Sequence, residues 1–274
     1  MRKLTSTLAI VTTAAALTLT GCSAGTDNNG ADSTKEESAT LIVAANPTPH
    51  AKILEFVRDN LAEKEGLKLD IKQFDDYIAP NEVLQAKEVD VNYFQTIPYL
   101  KDQAEKRGYD FVPGKGIHLE PLALYSKRIT DLKDFPEGGQ LGIINDPTNQ
   151  TRALNLLAQA GFVEGPVPAG ATINTVKKLK NFEFVEVAGP QLARSLEDVD
   201  AAVINGNFAQ AVGLAPKDGL IVEETKDNPA SNLLVWRNGD QNPNIQKLEK
   251  LLHSDEVRDY IQKTWADGAV LPSF

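Results

Sequence analysis

The stretch Leu41-Ile42-Val43-Ala44-Ala45-Asn46-Pro47-Thr48-Pro49 decides the fold. Five apolar residues in a row are what a strand buried on both faces of a parallel sheet requires. Asn-Pro-Thr-Pro stops that strand. Apolar residues then recur at helical spacing, at Ile53, Val57 and Leu61 with Leu54 beside them, so a helix is expected over 50–64 with Gly66 as its stop. Leu67, Leu69 and Ile71 alternate with Lys68, Asp70 and Lys72, the two-residue period of a strand.

The alternation continues outward. A short helix opens at Pro80-Asn81 and ends near Lys87, a strand runs from Val89 to Phe94, and a helix from Pro98 to Arg107 stops at Gly108. A loop is expected next, then a strand at Leu122–Tyr125. The strand Leu141–Ile144 runs into Asn145-Asp146-Pro147-Thr148-Asn149, a stretch dense in turn and capping residues, ahead of a helix over Thr151–Ala160. Strands are expected at 182–187, 201–204 and 233–235, with helices over 191–197 and from Ile245 to Trp265. Strands alternating with helices place the chain in the α/β class, with parallel sheets covered on both faces. The pattern restarts near residue 140, which argues for two lobes. Ligands in such folds bind beyond the carboxyl ends of strands, here Asn46, Phe94, Asn145 and Asn205.

The N-terminus reads differently. Arg2 and Lys3 precede a short apolar run from Leu8 to Leu19, then Leu19-Thr20-Gly21-Cys22. A charged start, a short apolar stretch and small residues describe a secretory signal peptide over 1–21, too short to span a membrane. Residues 23–39 hold no large apolar side chain and read as a flexible tether. Cys22 is the one cysteine in the chain, so no internal disulfide is available. The net charge of -10 argues against nucleic acid as a partner, because phosphate binding needs clustered Lys and Arg.

No nucleophile elbow, phosphate loop, dinucleotide fingerprint or HExxH helix is present. His50, His118 and His253 are far apart in sequence and none has a histidine four residues on, so no metal site, no cofactor and no enzyme activity are expected.

Seven strings in order resemble the NlpA/MetQ family of substrate-binding lipoproteins, which serve methionine ABC importers. They are Pro49-His50-Ala51; Asp76-Tyr77-Ile78-Ala79-Pro80-Asn81; Val91-Asn92-Tyr93-Phe94-Gln95; Asn145-Asp146-Pro147-Thr148-Asn149 with Arg152; Gly189-Pro190-Gln191-Leu192-Ala193-Arg194-Ser195; Asp200 through Ala209; and Ser231-Asn232-Leu233. Leu-Thr-Gly-Cys resembles the bacterial lipobox, which makes Cys22 the acylated first residue of the mature protein. The resemblance implies a two-lobed type II periplasmic-binding-protein fold with the ligand cleft between lobes. The first lobe would use 41–122 plus 225–274 and the second 125–222, with 22–39 as the lipidated tether. It implies an extracytoplasmic monomer, held to the cell membrane by its lipid, that hands its ligand to a permease and its ATPase.

A free amino acid presents a carboxylate and an ammonium, and each needs a charge-assisted partner. Arg152, expected in the first turn of its helix, is the candidate for the carboxylate, held bidentately. Asn205 and Asn232 are candidates for the ligand's backbone groups; Asn149 is weaker, since capping explains it. Tyr77 and Phe94 are candidates for a thioether pocket, and Phe94 is preferred to Tyr93 because neighbours in a strand face opposite ways. The family usually has His after the Phe-Gln pair, and here it is Thr96. That departure leaves open methionine (L- or D-), a methionine-containing dipeptide, or another apolar amino acid. A same-scaffold enzyme and a surface adhesin are the rival classes.

Overall fold

The structure, a computed structural model, describes residues 40–274; the expected signal peptide, Cys22 and the whole tether lie outside the described residues. In chain order the elements are β1 (Leu41–Ala45), α1 (Lys52–Asn60), β2 (Leu69–Gln73), α2 (Ala79–Gln85), β3 (Val91–Thr96), α3 (Ile97–Arg107), β4 (Phe111–Leu119), β5 (Ala123–Tyr125), β6 (Gly139–Ile144), α4 (Pro147–Gln159), β7 (Phe182–Val187), α5 (Gly189–Leu192), β8 (Ala201–Ile204), α6 (Gly206–Ala211), β9 (Ile221–Val222), β10 (Ser231–Arg237), α7 (Pro243–Leu252), α8 (Asp255–Thr264) and β11 (Leu271–Pro272).

They build two sheets, in the orders β11-β4-β10-β3-β1-β2 and β7-β6-β8-β5-β9. The apolar runs pair in parallel, β1 with β2 and β3, and β6 with β7 and β8. The sheets are mixed, however. β10 lies antiparallel between β3 and β4, and β5 antiparallel between β8 and β9. The antiparallel members are the strands that carry the chain between lobes. It crosses once from β4 to β5 and returns from β9 to β10. The crossings are tied together where Glu223 N–H donates to Leu122 O at 2.9 Å.

The first core joins Leu41, Ile53, Leu54, Val57 and Val91 to Leu234, Leu248, Ile261 and Val270. The second packs Leu141, Ile143, Leu154, Leu157, Phe162 and Phe182, and a third layer behind β8 packs Ile144, Leu192 and Ile204. Among the described residues no helix is long and apolar enough to cross a membrane.

The helix expected over 191–197 is α5 followed by a separate turn, and the one expected from Ile245 to Trp265 is the pair α7 and α8; three further differences bear on the site. β4 was expected as a loop. α4 starts at Pro147 rather than Thr151, because Asp146 caps it by accepting from Asn149 N–H at 2.9 Å. Arg152 therefore stands in the second turn, not the first. Asn232 lies inside β10, opposite Thr96 of β3, rather than ahead of the strand.

Candidate functional site

A cleft opens where the two sheets face each other across the crossings. It is lined by His50, Tyr77, Phe94, Gln95, Thr96, Tyr99, Glu120, Asn149, Arg152, Asn205, Gly206, Asn207 and Asn232. Only about 30 Å³ of it is open, room for one or two waters.

One end is aromatic. The Tyr77 ring sits 6.1 Å from Phe94, 5.9 Å from Tyr99 and 4.9 Å from Phe208, spacings at which tilted and edge-on rings attract. Tyr77 is fixed from three sides. Asn46, buried at the end of β1, donates to Phe74 O and Asp76 O at 2.6 and 3.1 Å; Tyr99 O–H donates to Tyr77 O at 2.7 Å; and Tyr77 O–H donates to Asn207 Oδ1 at 2.5 Å across the cleft. Behind Phe94 a buried amide network locks β3 to α2, with Asn92 and Gln95 both donating to Asn81 Oδ1 at 2.8 and 2.7 Å. Phe94 lines the cleft, while Tyr93, on the opposite face, is fully buried. Thr96 caps α3, accepting from Tyr99 N–H at 3.5 Å.

The other end is polar. Arg152 donates bidentately to Glu223, Nε to Oε1 at 2.8 Å and Nη2 to Oε2 at 2.6 Å, and Nη2 also reaches Glu120 O at 2.7 Å. The fork expected to meet a ligand is thus committed to the lobe crossings; among the described residues only its Nη1 makes no hydrogen bond. Asn205, at the end of β8, donates to Asn149 Oδ1 at 2.8 Å, and Asn149 is itself held by Asp146 at 3.0 and 3.2 Å. Asn232 Oδ1 meets His50 Nε2 at 3.0 Å. Asn145, singled out with Asn46, Phe94 and Asn205, is exposed and outside the cleft.

Between the two ends lies a cluster that the sequence reading missed. His118 Nε2 stands 2.9 Å and His50 Nε2 3.5 Å from Glu120 Oε1, and Tyr93 O–H is bonded to His118 Nδ1. Burial lowers His50 to a pKa of about 4 and His118 to about 3. Burial raises Glu120 to about 7, while His50, Arg152 and the Asn207 backbone N–H favour its charge. His50, His118 and Glu120 offer ligand atoms within 4.8 Å of one another, so histidines distant in sequence converge. A signal existed. His118 and Glu120 are two residues apart, hence on one face of a strand, but Pro113, Gly114 and Gly116 make the segment look like a loop.

Beyond Thr96 the open space widens from about 30 Å³ to a groove of about 750 Å³, which shares Thr96, Asn149 and Arg152 and reaches Lys101, Val167 and Pro229.

The chain matches the NlpA lipoprotein family over residues 41–274. The methionine-binding lipoprotein MetQ of Bacillus subtilis (strain 168) is 42% identical over 254 residues, 89% of this chain and 91% of the relative. A solved nutrient-binding protein from Burkholderia cenocepacia, bound to methionine, is 37% identical with a TM-score of 0.81, covering 86% of this chain and 100% of that one. A periplasmic substrate-binding protein of an ABC transporter from Coxiella burnetii is 35% identical with a TM-score of 0.80, covering 85% and 100%.

Proposed function

The chain belongs to the NlpA lipoprotein family, and from that premise we propose that it is the substrate-binding lipoprotein of an ABC importer, capturing methionine and delivering it to a permease. Its work is binding, not turnover. The observation that carries this reading is the division of the cleft into an aromatic end, Tyr77, Phe94 and Tyr99, and a polar end, Arg152, Asn205 and Asn232. A thioether is apolar and polarizable, and sulfur against aromatic rings contributes about 0.3–1.5 kcal/mol per contact. The ligand carboxylate takes Arg152 through Nη1, or through the whole fork if Glu223 swings aside. Asn149 completes the grip by holding Asn205.

The lobes, 41–122 with 225–274 and 125–222, close over the ligand, and the closed form of a single copy docks on the permease with its ATPase. Ligand drives closure by its higher affinity for that state. Cys22, acylated after cleavage, holds the protein on the outer face of the cell membrane; palmitate label taken up by the wild type and lost in Cys22→Ser checks the anchor.

The test is thermal unfolding of the full chain in detergent with L-methionine. At a thousand times its dissociation constant a ligand stabilises by about 4 kcal/mol, a midpoint shift of about 10 °C for a chain of this size. The shift is expected in the wild type and absent in Arg152→Ala. A wild type that does not shift rules out methionine.

The groove beyond Thr96 favours a second reading, a methionine-containing dipeptide whose second residue extends past the threonine where a histidine would close the end. A larger shift with a dipeptide than with methionine selects it.

A further inference from the structure

Glu120 is 5% exposed and stands between the aromatic and polar ends of the cleft. Its two oxygens differ. Oε1 has His118 Nε2 at 2.9 Å and His50 Nε2 at 3.5 Å. Oε2 is buried with no hydrogen-bond partner. A buried carboxylate oxygen without a full hydrogen bond is costly; the Asn207 backbone N–H favours its charge, and Oε2 can still take a donor that arrives from outside.

The proton directions in the cluster are consistent with this. Both imidazoles are neutral near pH 7, and each then has one N–H. Tyr93 O–H faces His118 Nδ1, which places the His118 proton on Nε2, toward Glu120. His50 Nε2 faces two acceptors, Asn232 Oδ1 at 3.0 Å and Glu120 Oε1, which places its proton on Nε2 as well. The His118 N–H thus supports an anion at Oε1, the His50 N–H goes first to Asn232 Oδ1, and Oε2 stays open to a further donor.

We infer that Glu120 accepts the α-ammonium of the bound ligand, and that this contact selects ligands with a free amino group. The inference deepens the proposed function and rests on it. An ammonium brings three donors. Glu120 Oε2 takes one, and the carbonyl oxygens of Asn205 and Asn232 are the available acceptors for the others. Arg152 and Glu120 then divide the zwitterion, the guanidinium facing the carboxylate and the carboxylate facing the ammonium. Gly206 lets the start of α6 pack directly on Glu120, since a Cβ there would come 2.7 Å from Glu120 Cβ and 3.1 Å from Oε2. A bound divalent cation is the competing occupant of His50, His118 and Glu120.

The groups facing Glu120 are His50 ahead of α1, Tyr77 ahead of α2, Tyr93 on β3, His118 on β4, Arg152 on α4 and the Asn207 N–H on α6. Of these, Glu120 alone titrates near neutrality. Ligand therefore binds the anion and releases a proton where Glu120 was neutral, and affinity falls as pH drops below about 7.

The experiment is calorimetric titration of the full chain in detergent with L-methionine and with N-acetyl-L-methionine, for wild type and Glu120→Gln. It is run at pH 6 and pH 8, in two buffers of different ionisation enthalpy. The expected result is binding of L-methionine about ten- to a hundredfold weaker in Glu120→Gln. The preference for the free amino group collapses, and the proton release seen in the wild type at pH 6 disappears. Should the variant fold poorly, the wild type's proton release and its preference between the two ligands still decide. Equal affinity of wild type and Glu120→Gln for L-methionine overturns the inference and leaves the methionine reading standing. A wild type that binds no L-methionine overturns both. Stoichiometric uptake of Zn²⁺ alone, lost in His118→Ala, reassigns the cluster to a metal and overturns the ammonium role.

Discussion

Glu120 ionises near pH 7, against an ordinary value of 4.5. Between those two values the native state keeps a proton that the unfolded chain has lost, so this residue lowers stability as pH rises through the window. By pH 8 the cost is about 3 kcal/mol at most. His50 and His118 act in the opposite sense. Their native values lie near 4 and 3, below the ordinary 6.5, so the unfolded chain protonates first, and stability is lost as pH falls below 6.5. The contributions of these three groups taken together are most favourable near pH 6.5. Glu120→Gln is expected to melt several degrees above the wild type at pH 8 and to show no such gain at pH 5, by differential scanning calorimetry. Coincident melting at both pH values would show that no charge is buried there. A substitution that raises the melting point while weakening the ligand is the pattern of a site whose strain serves binding.

At the scale of elements, α4 carries both a cap and a ligand group. Asp146 accepts from Asn149 N–H and also holds the Asn149 side chain, whose Oδ1 positions Asn205. Asp146→Ala is expected to cost about 1 kcal/mol from the lost cap and to weaken methionine several-fold. A stability loss with unchanged affinity would limit Asp146 to capping. This cap was visible in the sequence, yet the start of α4 was placed four residues late, because Asn-Asp-Pro-Thr-Asn reads equally as a turn. β4 was hidden for a different reason. Pro113, Gly114 and Gly116 break its apolar pattern, and Gly116 is there because a Cβ would fall 2.9 Å from Ser231 Cβ on the neighbouring β10. The glycine answers a close approach between strands that are 115 residues apart, from 116 to 231. Phe94, Arg152 and Asn205 were legible as candidates because they lie near strand ends or early in a helix, although Arg152 stands in the second turn of α4 and β3 runs on to Thr96. Glu120 was not, since its meaning depends on His50 and on burial, and neither has a local signature.

At the scale of the whole molecule, the lobes are joined on both sides of the cleft. At the crossings Arg152 clamps Glu223 and Glu120 O. On the far side Gln210 of α6 accepts from Trp265 Nε1 at 2.8 Å and from Thr48 Oγ1 at 3.3 Å. Two such bonds contribute about 1–2 kcal/mol net, and they form only when the lobes meet. Gln210→Ala is expected to enlarge the ligand-free protein in small-angle scattering. It is also expected to weaken methionine about five- to thirtyfold, because ligand must then supply the closing energy. An unchanged radius of gyration would show that Gln210 does not latch the lobes.

The position of β10 at the middle of its sheet has a consequence for assembly. The second core draws its buried residues from 122–203, a continuous stretch that can collapse as soon as it is made. The first core needs Leu234 through Val270 to meet Leu41 through Ile117. Closing so long a loop delays folding. Until β10 inserts, β3 and β4 have no strand between them, and their unpaired backbone edges are templates for pairing with another chain. The strand that contributes Asn232 to the cleft is thus also the one whose late arrival ends the interval of greatest exposure to aggregation.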